Sequence, residues 1–306
     1  MKPCLIVNPA SGNGRTGRNF DAIARAIRRA IGDFEALFTR ARGDGVRLAD
    51  EALGQGARLV VAVGGDGTAS EVVDGILHRP RDPDVLFGFI PRGTGGDFRR
   101  SVGIPVDVDE AARVLAGTGS LQIDLGRVEF RGHDGRPLVR HFANVAGCGI
   151  SGLVVQKVEA GSKALGGKLS FTIASAKALL GWRDAPVRWR ADGGPWVEQK
   201  ITGLNVCNGS WFGGGMRVAP DARMDDGLFD VVIWSGLGFV DLLTKRRMLY
   251  DGSHVSLPNT RVLRARVVEV EPLDGATVLL DVDGEQPGVL PARFTLLPGA
   301  LRIRAR

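Results

Sequence analysis

A cluster of glycine, carboxylate and hydroxyl residues directly follows a run of apolar residues in the first quarter of the chain. The apolar run is 59–63, and the polar residues after it are Gly64, Gly65, Asp66, Gly67 and Thr68. The run predicts a buried β-strand, and the apolar spacing of 72–77 predicts an amphipathic helix. A glycine loop between a strand and a helix exposes backbone N–H groups at the positive end of the helix. The segment therefore predicts a phosphate site.

Asp66 is the informative residue of this loop, because a bare carboxylate beside a phosphate repels it. The arrangement makes sense if a divalent cation, held partly through water, lies between the two anions. Thr68 is placed either to cap the helix or to offer its hydroxyl to a phosphate oxygen. The plainer alternative is a tight strand-to-helix turn in which Asp66 is a solvated cap.

The segments around this loop predict alternating strands and helices. Strands are expected at 4–8, 34–39, 59–63 and 85–90, with helices at 20–31 and 44–53. Such alternation with short loops is typical of a doubly wound parallel sheet, whose ligands lie at the carboxyl ends of the strands. Two further strand ends carry polar, glycine-rich loops, at 8–12 and 93–97. Three such ends favour a nucleotide cleft.

The pattern changes near residue 122, where strand begins to follow strand with glycine turns between them. We predict strands at 121–125, 126–130, 140–146, 187–191, 197–207, 229–234, 261–271 and 277–282, and one helix at 169–180. This pattern indicates an antiparallel β domain. We therefore divide the chain into an α/β domain at 1–124 and a β-rich domain at 125–306. The last strand, 293–304, can pack in either domain.

Composition restricts the class of protein. The chain has 306 residues, 44% of them hydrophobic, a net charge of +6 and three cysteines without metal-site spacing. The basic balance suits a polyanionic substrate, nucleic acid or an anionic membrane surface, or serves solubility alone. Unpaired cysteines, no signal-peptide pattern and no apolar run near ~18 residues predict a cytoplasmic protein without a membrane span.

Taken together, the motifs resemble the diacylglycerol kinase catalytic domain family, which includes bacterial lipid kinases and sphingosine kinases. The resemblance rests on the loops at 8–12, 64–68 and 91–98 in the first half of the chain. In the second half it rests on 144–150, 208–216, 219–230 and 281–285. It covers essentially the whole chain. It implies an NAD-kinase-like α/β domain followed by an antiparallel β-sandwich.

The resemblance implies an ATP- and Mg²⁺-dependent lipid kinase that phosphorylates a hydroxyl of diacylglycerol or a related lipid. ATP would be held by residues of the strand-end loops: Asn8, Pro9, Ala10, Ser11, Gly12, Thr39, Gly64, Gly65, Asp66, Gly67, Thr68, Ala69, Ser70, Gly93 and Thr94. Asp66, Asp97 and Asp124 would build the carboxylate and water network around the catalytic Mg²⁺. A second, structural cation would lie on Asp226 and the carbonyls of Arg223 and Leu228. Glu285 would be the general base.

The same resemblance implies a lipid substrate at a membrane surface, peripheral contact with the inner face of that membrane, and no nucleic acid. It also admits a homodimer. Trp182, Trp211 and Phe212 either help the protein dock on lipid or pack in the core. Without the resemblance, Asp226 and Glu285 would be read as plain turn residues.

Two positions depart from the family pattern. Gly96 stands where the family has Asn, and Ser151 replaces an Asp that often follows the 145–150 segment. Two other functions stay open. One is a soluble NAD kinase, which shares the Gly64–Thr68 motif but not the 213–220 or 283–285 patterns. The other is a catalytically weak lipid or nucleotide sensor, which Gly96 alone supports.

Overall fold

The computed structural model describes residues 2–160, 177–178 and 180–305. The chain forms two compact units, Met1–Asp124 with Pro298–Arg306, and Leu125–Leu297. Among the described residues, no helix is both long enough and apolar enough to cross a bilayer. The predicted helix at 169–180 falls largely on 169–176, which lie outside the described residues.

The first unit is built on parallel strands. These are β1 (Cys4–Val7), β2 (Glu35–Phe38), β3 (Leu59–Gly64) and β4 (Leu86–Pro91), in the order β2-β1-β3-β4. β1 and β3 lie in the middle of the sheet and are almost entirely buried, as apolar runs in a parallel sheet should be. The prediction of a parallel α/β sheet is confirmed.

Helices follow these strands in the first unit. They are α1 (Arg15–Arg18), α2 (Phe20–Ile31), α3 (Asp44–Gly54), α4 (Asp66–Leu77), α5 (Asp97–Ser101) and α6 (Val108–Ala116). α2 buries Ile23 and Ile27, the centre of its predicted apolar face. α3 and α4 approach closely at Gly75, where a Cβ would lie 2.3 Å from the carbonyl oxygen of Val46. α5 and α6 were absent from the sequence prediction.

The second unit contains two antiparallel layers. One is a five-stranded sheet in the order β12-β11-β10-β7-β14, and the other runs through β15, β13, β8 and β9. The bounds are β5 (Ser120–Arg131), β6 (Pro137–Phe142), β7 (Val145–Gly149), β8 (Ala185–Ala191), β9 (Val197–Ile201), β10 (Gly203–Cys207), β11 (Phe229–Trp234), β12 (Thr260–Ala265), β13 (Val267–Pro272), β14 (Leu280–Val282) and β15 (Val289–Arg304). The predicted antiparallel β-sandwich is confirmed.

The core of this unit is filled from both layers. Val187 and Trp189 of β8 and Val268 of β13 share one buried cluster with Leu204 of β10 and Val231 of β11. Three phenylalanine rings also lie in it: the ring of Phe142 stacks on Phe229 at 5.5 Å and meets Phe294 edge-on at 6.3 Å. The side chains of both layers thus fill one shared core, as in a sandwich.

β15 runs out of the second unit into the first. Its residues 292–295 pair with β13, and Ile303 near its end pairs in parallel with Phe87 of β4. β5 crosses the boundary in the same way, beginning at Ser120 and ending at Arg131.

Several predicted strand boundaries were wrong. β5 is one strand rather than two, because Gly126 makes room for the ring of Phe142 instead of turning the chain. The stretches 140–146, 197–207 and 261–271 each divide into two strands. In the last of these the chain changes sheet at Arg266, since β12 and β13 belong to different layers. Apolar and charged residues are interspersed on both sides of Arg266, so the sequence does not mark the change of sheet.

Two helices of the second unit were also missed. α7 (Ile150–Ala160) follows β7 directly, and α8 (Phe239–Asp251) follows β11, with a short 3₁₀ turn at Ser253–Ser256. α8 is rich in charged residues and has only a weak apolar stripe, so its sequence gives little periodic signal.

Candidate functional site

Asp66 closes two loops of the first unit against each other. Its Oδ2 accepts the N–H of Gly96 at 2.6 Å and that of Asp97 at 3.3 Å, and its Oδ1 accepts the N–H of Phe98 at 3.3 Å. The carboxylate therefore satisfies the N–H groups at the start of α5. It is more than a solvated cap of its own helix.

The β3 and β4 loops touch through glycine. A Cβ on Gly93 would lie 2.5 Å from the Cα of Gly65, a distance that no side chain permits. α4 begins at Asp66 with Gly65 as its N-cap, so Thr68 is not the cap that the sequence offered as one choice. The hydroxyl of Thr68 instead accepts the amide of Asn8 at 3.1 Å.

The loop after β1 contacts both the β3 loop and the β4 loop. Asn8 accepts the N–H of Ala10 at 3.0 Å through its side-chain oxygen, and the Ser11 hydroxyl donates to the carbonyl of Asn8 at 2.9 Å. Gly12 has a φ of +60°, and a Cβ on it would lie 2.7 Å from the carbonyl oxygen of Arg92. All three predicted loops are thus brought together within the first unit.

Open backbone donors line these loops. Among the described residues, no acceptor meets the N–H groups of Asp66, Gly67 and Thr68 in the first turn of α4, nor those of Gly93, Thr94 and Gly95. Converging N–H groups at the start of a twelve-residue helix suit an anion such as phosphate.

The remaining predicted nucleotide residues lie along the same edge. Pro9 stands between Asn8 and Ala10 in the β1 loop. A Cβ added to Gly17 would lie 3.0 Å from the Cβ of Pro9, so the two residues are in close contact. Thr39 follows β2 and donates its N–H to Val7 at 2.9 Å, beside Asn8. Ala69 is buried and Ser70 half-buried in the first turns of α4.

The three carboxylates expected around the catalytic cation have separate partners. Asp97 is buried and pairs with Arg100 at 2.8 Å, while Asp124 is 3% exposed and accepts the N–H of Gly299 at 2.6 Å. Within the described part of the chain, no three acidic, His or Cys side chains are grouped so that they could hold a metal ion. A cation at Asp66 would accordingly depend on that one carboxylate, water and substrate phosphates.

In the second unit, Asp283 connects two of the predicted motifs. Its carboxylate accepts three consecutive backbone N–H groups, from Ala143 at 2.8 Å and from Asn144 and Val145 at 3.0 Å each. Asp283 itself has a φ of +48° and is followed by Gly284, so the chain turns sharply there. The start of β7 is thereby fixed to the turn that carries Glu285.

Glu285 stands at that turn, between β14 and β15. Its N–H donates to the carbonyl of Val282 at 3.0 Å, and its carboxylate lies 3.9 Å from the guanidinium of Arg140. The Glu285 side chain keeps about a quarter of its surface exposed. The Glu285 carboxylate therefore lies on a sharp turn, partly open to solvent, with a guanidinium within ion-pair distance.

Segment 208–216 contacts the start of β7 through Asn208. The side-chain amide of Asn208 donates to the carbonyl of Ala143 at 2.8 Å, and the N–H groups of Asn208 and Gly209 donate to the carbonyl of Asn144. Asn144 in turn donates its amide to the carbonyl of Trp211. Segments 144–150, 208–216 and 281–285 therefore meet in the second unit.

Comparison with known proteins matches both halves of the chain. Residues 2–128 match the diacylglycerol kinase catalytic domain, and residues 144–305 match the YegS C-terminal NAD kinase beta sandwich-like domain. A diacylglycerol kinase of Mycobacterium tuberculosis (strain ATCC 25618 / H37Rv) is 31% identical over 99% of this chain and 94% of its own length. The chain belongs to the diacylglycerol kinase family.

Further relatives agree. A probable lipid kinase YegS-like protein of Stenotrophomonas maltophilia (strain K279a) is 33% identical over 79% of this chain and 77% of its own length. The crystal structure of a diacylglycerol kinase from Bacillus anthracis str. Sterne has a TM-score of 0.73, with 24% identity over 100% of this chain and 97% of that one. This last likeness supports the fold. The predicted resemblance, and the prediction of a lipid kinase enzyme, are confirmed.

The family's second cation was expected at Asp226, where the structure shows an arginine. Asp226 accepts the N–H of Leu228 at 3.1 Å through Oδ1, and its Oδ2 pairs with the guanidinium of Arg264. Arg223 lies in the same loop and pairs with Asp225 at 3.3 Å. A cation bound to Asp226 would compete with a positive charge that is already there.

Arg264 also faces Asp230, a buried carboxylate on β11. The two lie 3.8 Å apart, too far for a hydrogen bond. Burial raises the pKa of the Asp230 carboxyl, and the charge of Arg264 lowers it. The positive charge of Arg264 thus partly neutralises the two carboxylates of Asp226 and Asp230.

Sequence reasoning missed several of these residues. Nothing in the sequence signals Arg264, which lies on an edge strand about forty residues from its partners. Asp283 carried a signal, since Asp followed by Gly marks a turn, but its three N–H contacts come from residues 143–145. Of the three aromatic residues considered for docking, Phe212 packs against Trp234, Trp182 joins a cluster with Ile150, and Trp211 lies under Arg217.

Proposed function

We propose that this chain is an ATP- and Mg²⁺-dependent lipid kinase that phosphorylates a hydroxyl group of diacylglycerol or a related lipid. The observation that carries the proposal is the convergence of three glycine-rich strand-end loops around open N–H groups in the first unit. Phosphoryl transfer needs alignment and charge neutralisation more than covalent chemistry, and such loops supply alignment. Loops 8–12, 64–70 and 93–94, with Thr39, would hold the nucleotide.

Asp66 is suited to a hydrated Mg²⁺. Mg²⁺ keeps several of its waters and binds through one or two carboxylates and substrate phosphates, so a three-carboxylate cluster is not required. The three N–H contacts of Asp66 leave room on its oxygens for bound water. When bound, the cation would neutralise charge on the transferring phosphoryl group. Asp97 and Asp124 would complete the carboxylate and water network around the cation.

Glu285 is the residue we assign to the acceptor side. As general base it would take the proton of the lipid hydroxyl while the hydroxyl oxygen attacks the terminal phosphorus of ATP. The bond between the terminal phosphorus and the oxygen that joins it to the rest of ATP breaks, and that oxygen leaves as part of ADP. Asp283 fixes the backbone of the Glu285 turn, and the guanidinium of Arg140 lies 3.9 Å from the Glu285 carboxylate.

The acceptor is dissolved in a bilayer, so the enzyme must act at a membrane surface. A net charge of +6 would favour contact with anionic lipid at the inner face of the membrane, with the protein otherwise in the cytoplasm. A homodimer is compatible with this proposal, and nucleic acid has no part in it.

The experiment is transfer of radiolabel from ATP in the presence of Mg²⁺. Separate mixed micelles would contain diacylglycerol, phosphatidylglycerol, sphingosine or ceramide, and one tube would contain NAD. We expect label in one lipid product. Label in NAD alone would contradict the lipid kinase proposal and favour a soluble NAD kinase. ATP binding without any transfer would favour a catalytically weak lipid or nucleotide sensor.

A further inference from the structure

Gly96 leaves a space that another side chain fills. The family pattern has Asn at this position, whereas Gly96 has no side chain and a φ of +72°. The side chain of Arg99 lies over it: a Cβ on Gly96 would be 2.8 Å from Nε of Arg99 and 3.4 Å from its Cδ. A residue larger than glycine at 96 would therefore push Arg99 away.

Arg99 has no partner in the part of the chain that the structure describes. Its guanidinium makes neither a hydrogen bond nor an ion pair with a described residue, although it is half-buried. The neighbouring Arg100, by contrast, pairs with Asp97 and donates to the carbonyl of Gly95, both at 2.8 Å. A half-buried guanidinium that makes no direct hydrogen bond or ion pair with the described residues has donors available to an anion.

The carboxylates near Arg99 are already engaged. Asp66 accepts the backbone N–H groups of Gly96, Asp97 and Phe98, and Asp97 is taken by Arg100. Burial and the neighbouring charge of Arg100 lower the pKa of Arg99, whereas the charges of Asp66 and Asp97 act in the opposite direction. Arg99 is a cation, as arginine is throughout proteins, and it follows the open N–H groups of 93–95 by about one helical turn.

We propose that Arg99 binds the polyphosphate of the nucleotide, in the space that the missing side chain at position 96 leaves open. This rests on the proposed function, since it deepens the nucleotide site rather than adding another. A guanidinium presents several donors in a fixed plane and suits phosphate oxygens.

The test is the affinity for ATP without lipid, measured by calorimetry with Mg²⁺ present. Since a hydrogen bond to a charged group contributes enough for about a tenfold change, we expect Arg99→Ala to bind ATP about tenfold more weakly. Arg99→Lys should lose less, and the loss should be smaller for AMP than for ATP. Arg113→Ala, which removes an exposed arginine of α6, is the matched control and should bind ATP normally.

Two further measurements separate binding from structure. The melting temperature of Arg99→Ala without ATP should not fall below that of the wild type, because Arg99 makes no hydrogen bond or ion pair with the described residues. Gly96→Asn should weaken ATP binding when Arg99 is present and have little effect in Arg99→Ala, since close residues are coupled. An equal effect in both backgrounds would overturn the proposal.

The outcomes distinguish this inference from the proposed function. If the wild type binds ATP and Arg99→Ala binds it equally well, the role of Arg99 is overturned and the kinase proposal stands. If the wild type binds no ATP, both are overturned.

Discussion

At the scale of single residues, Asp283 shows how one carboxylate can hold a site in place. Its two oxygens accept three N–H groups that would otherwise lack an acceptor at the start of β7. Asp66 does the same for the N–H groups of residues 96–98. In both cases the contacts join segments that are far apart in sequence.

We predict that Asp283→Asn destabilises the protein by about 1–3 kcal/mol, because one N–H group would then face an amide donor instead of an oxygen. The free energy of unfolding in urea measures this. The control is Asp134→Asn in the β5–β6 turn, where an exposed carboxylate accepts the N–H of Arg136. Asp134→Asn should change stability little, and an equal loss in the two variants would contradict the special role of Asp283.

The places of the glycine-rich loops at strand ends could be predicted from sequence, but their contacts could not. The glycines of 64–67 and 93–95 follow apolar runs, which predicts strand-end loops. That Gly93 touches Gly65, and that Arg99 covers Gly96, depends on how the two loops fold against each other. No local pattern encodes such contacts.

At the scale of elements, the packing of α3 on α4 depends on Gly75. We predict that Gly75→Ala destabilises the first unit by about 1–3 kcal/mol, because the added Cβ would overlap the carbonyl oxygen of Val46, which is backbone and cannot rotate away. Thermal unfolding measures the loss.

Gly54→Ala on α3 is the matched control. A Cβ there meets only the flexible guanidinium of Arg79 at 3.0 Å. Alanine is also the better helix former, so this variant should be neutral or slightly more stable. If Gly54→Ala and Gly75→Ala behaved alike, close packing at Gly75 would not be the cause.

The edge strand β12 contributes Arg264, which balances Asp226 and Asp230. We predict that Arg264→Gln lowers stability at pH 7 by about 1–2 kcal/mol, a modest figure because solvent screens the half-exposed guanidinium. Without Arg264 the pKa of buried Asp230 rises further. The folded state then binds the proton more tightly than the unfolded state, so the deficit should shrink as the pH falls toward 5.

Thermal unfolding of Arg264→Gln and of the wild type between pH 7 and pH 5 checks the effect of the charge of Arg264 on stability. The same measurement in EDTA and in Mg²⁺ checks whether a cation binds at Asp226. Mg²⁺ should stabilise Arg264→Gln more than the wild type, since the variant leaves Asp226 open to a cation. A wild type that loses stability in EDTA as strongly as the variant would contradict a site neutralised by Arg264.

The elements themselves were predicted unevenly. The strands β1 to β4 and the helices α2 and α3 follow clear periodicity, and their bounds agree with the prediction within one or two residues, whereas α5 and α6 were not predicted. In the second unit, Arg266 moves the chain from one sheet to the other without a Gly or Pro to mark it. α8 was missed for the same kind of reason, since its charged sequence lacks a strong apolar stripe.

At the scale of the whole molecule, the order of motifs along the chain predicted the family and the sandwich, because each motif serves a strand end or turn of that fold. The charge of +6 could not identify the partner. The identity of the lipid is equally absent from the sequence, because a binding surface is shaped by many side chains together.

The measurement that tests the central claim most directly is the initial rate of phosphate transfer from ATP to diacylglycerol in mixed micelles, with Mg²⁺ and with EDTA. We predict transfer in Mg²⁺, none in EDTA, and a loss of about 10²–10⁴-fold in Glu285→Gln, whose ATP affinity should equal that of the wild type. Transfer by Glu285→Gln at the wild-type rate, or transfer in EDTA, would contradict the account.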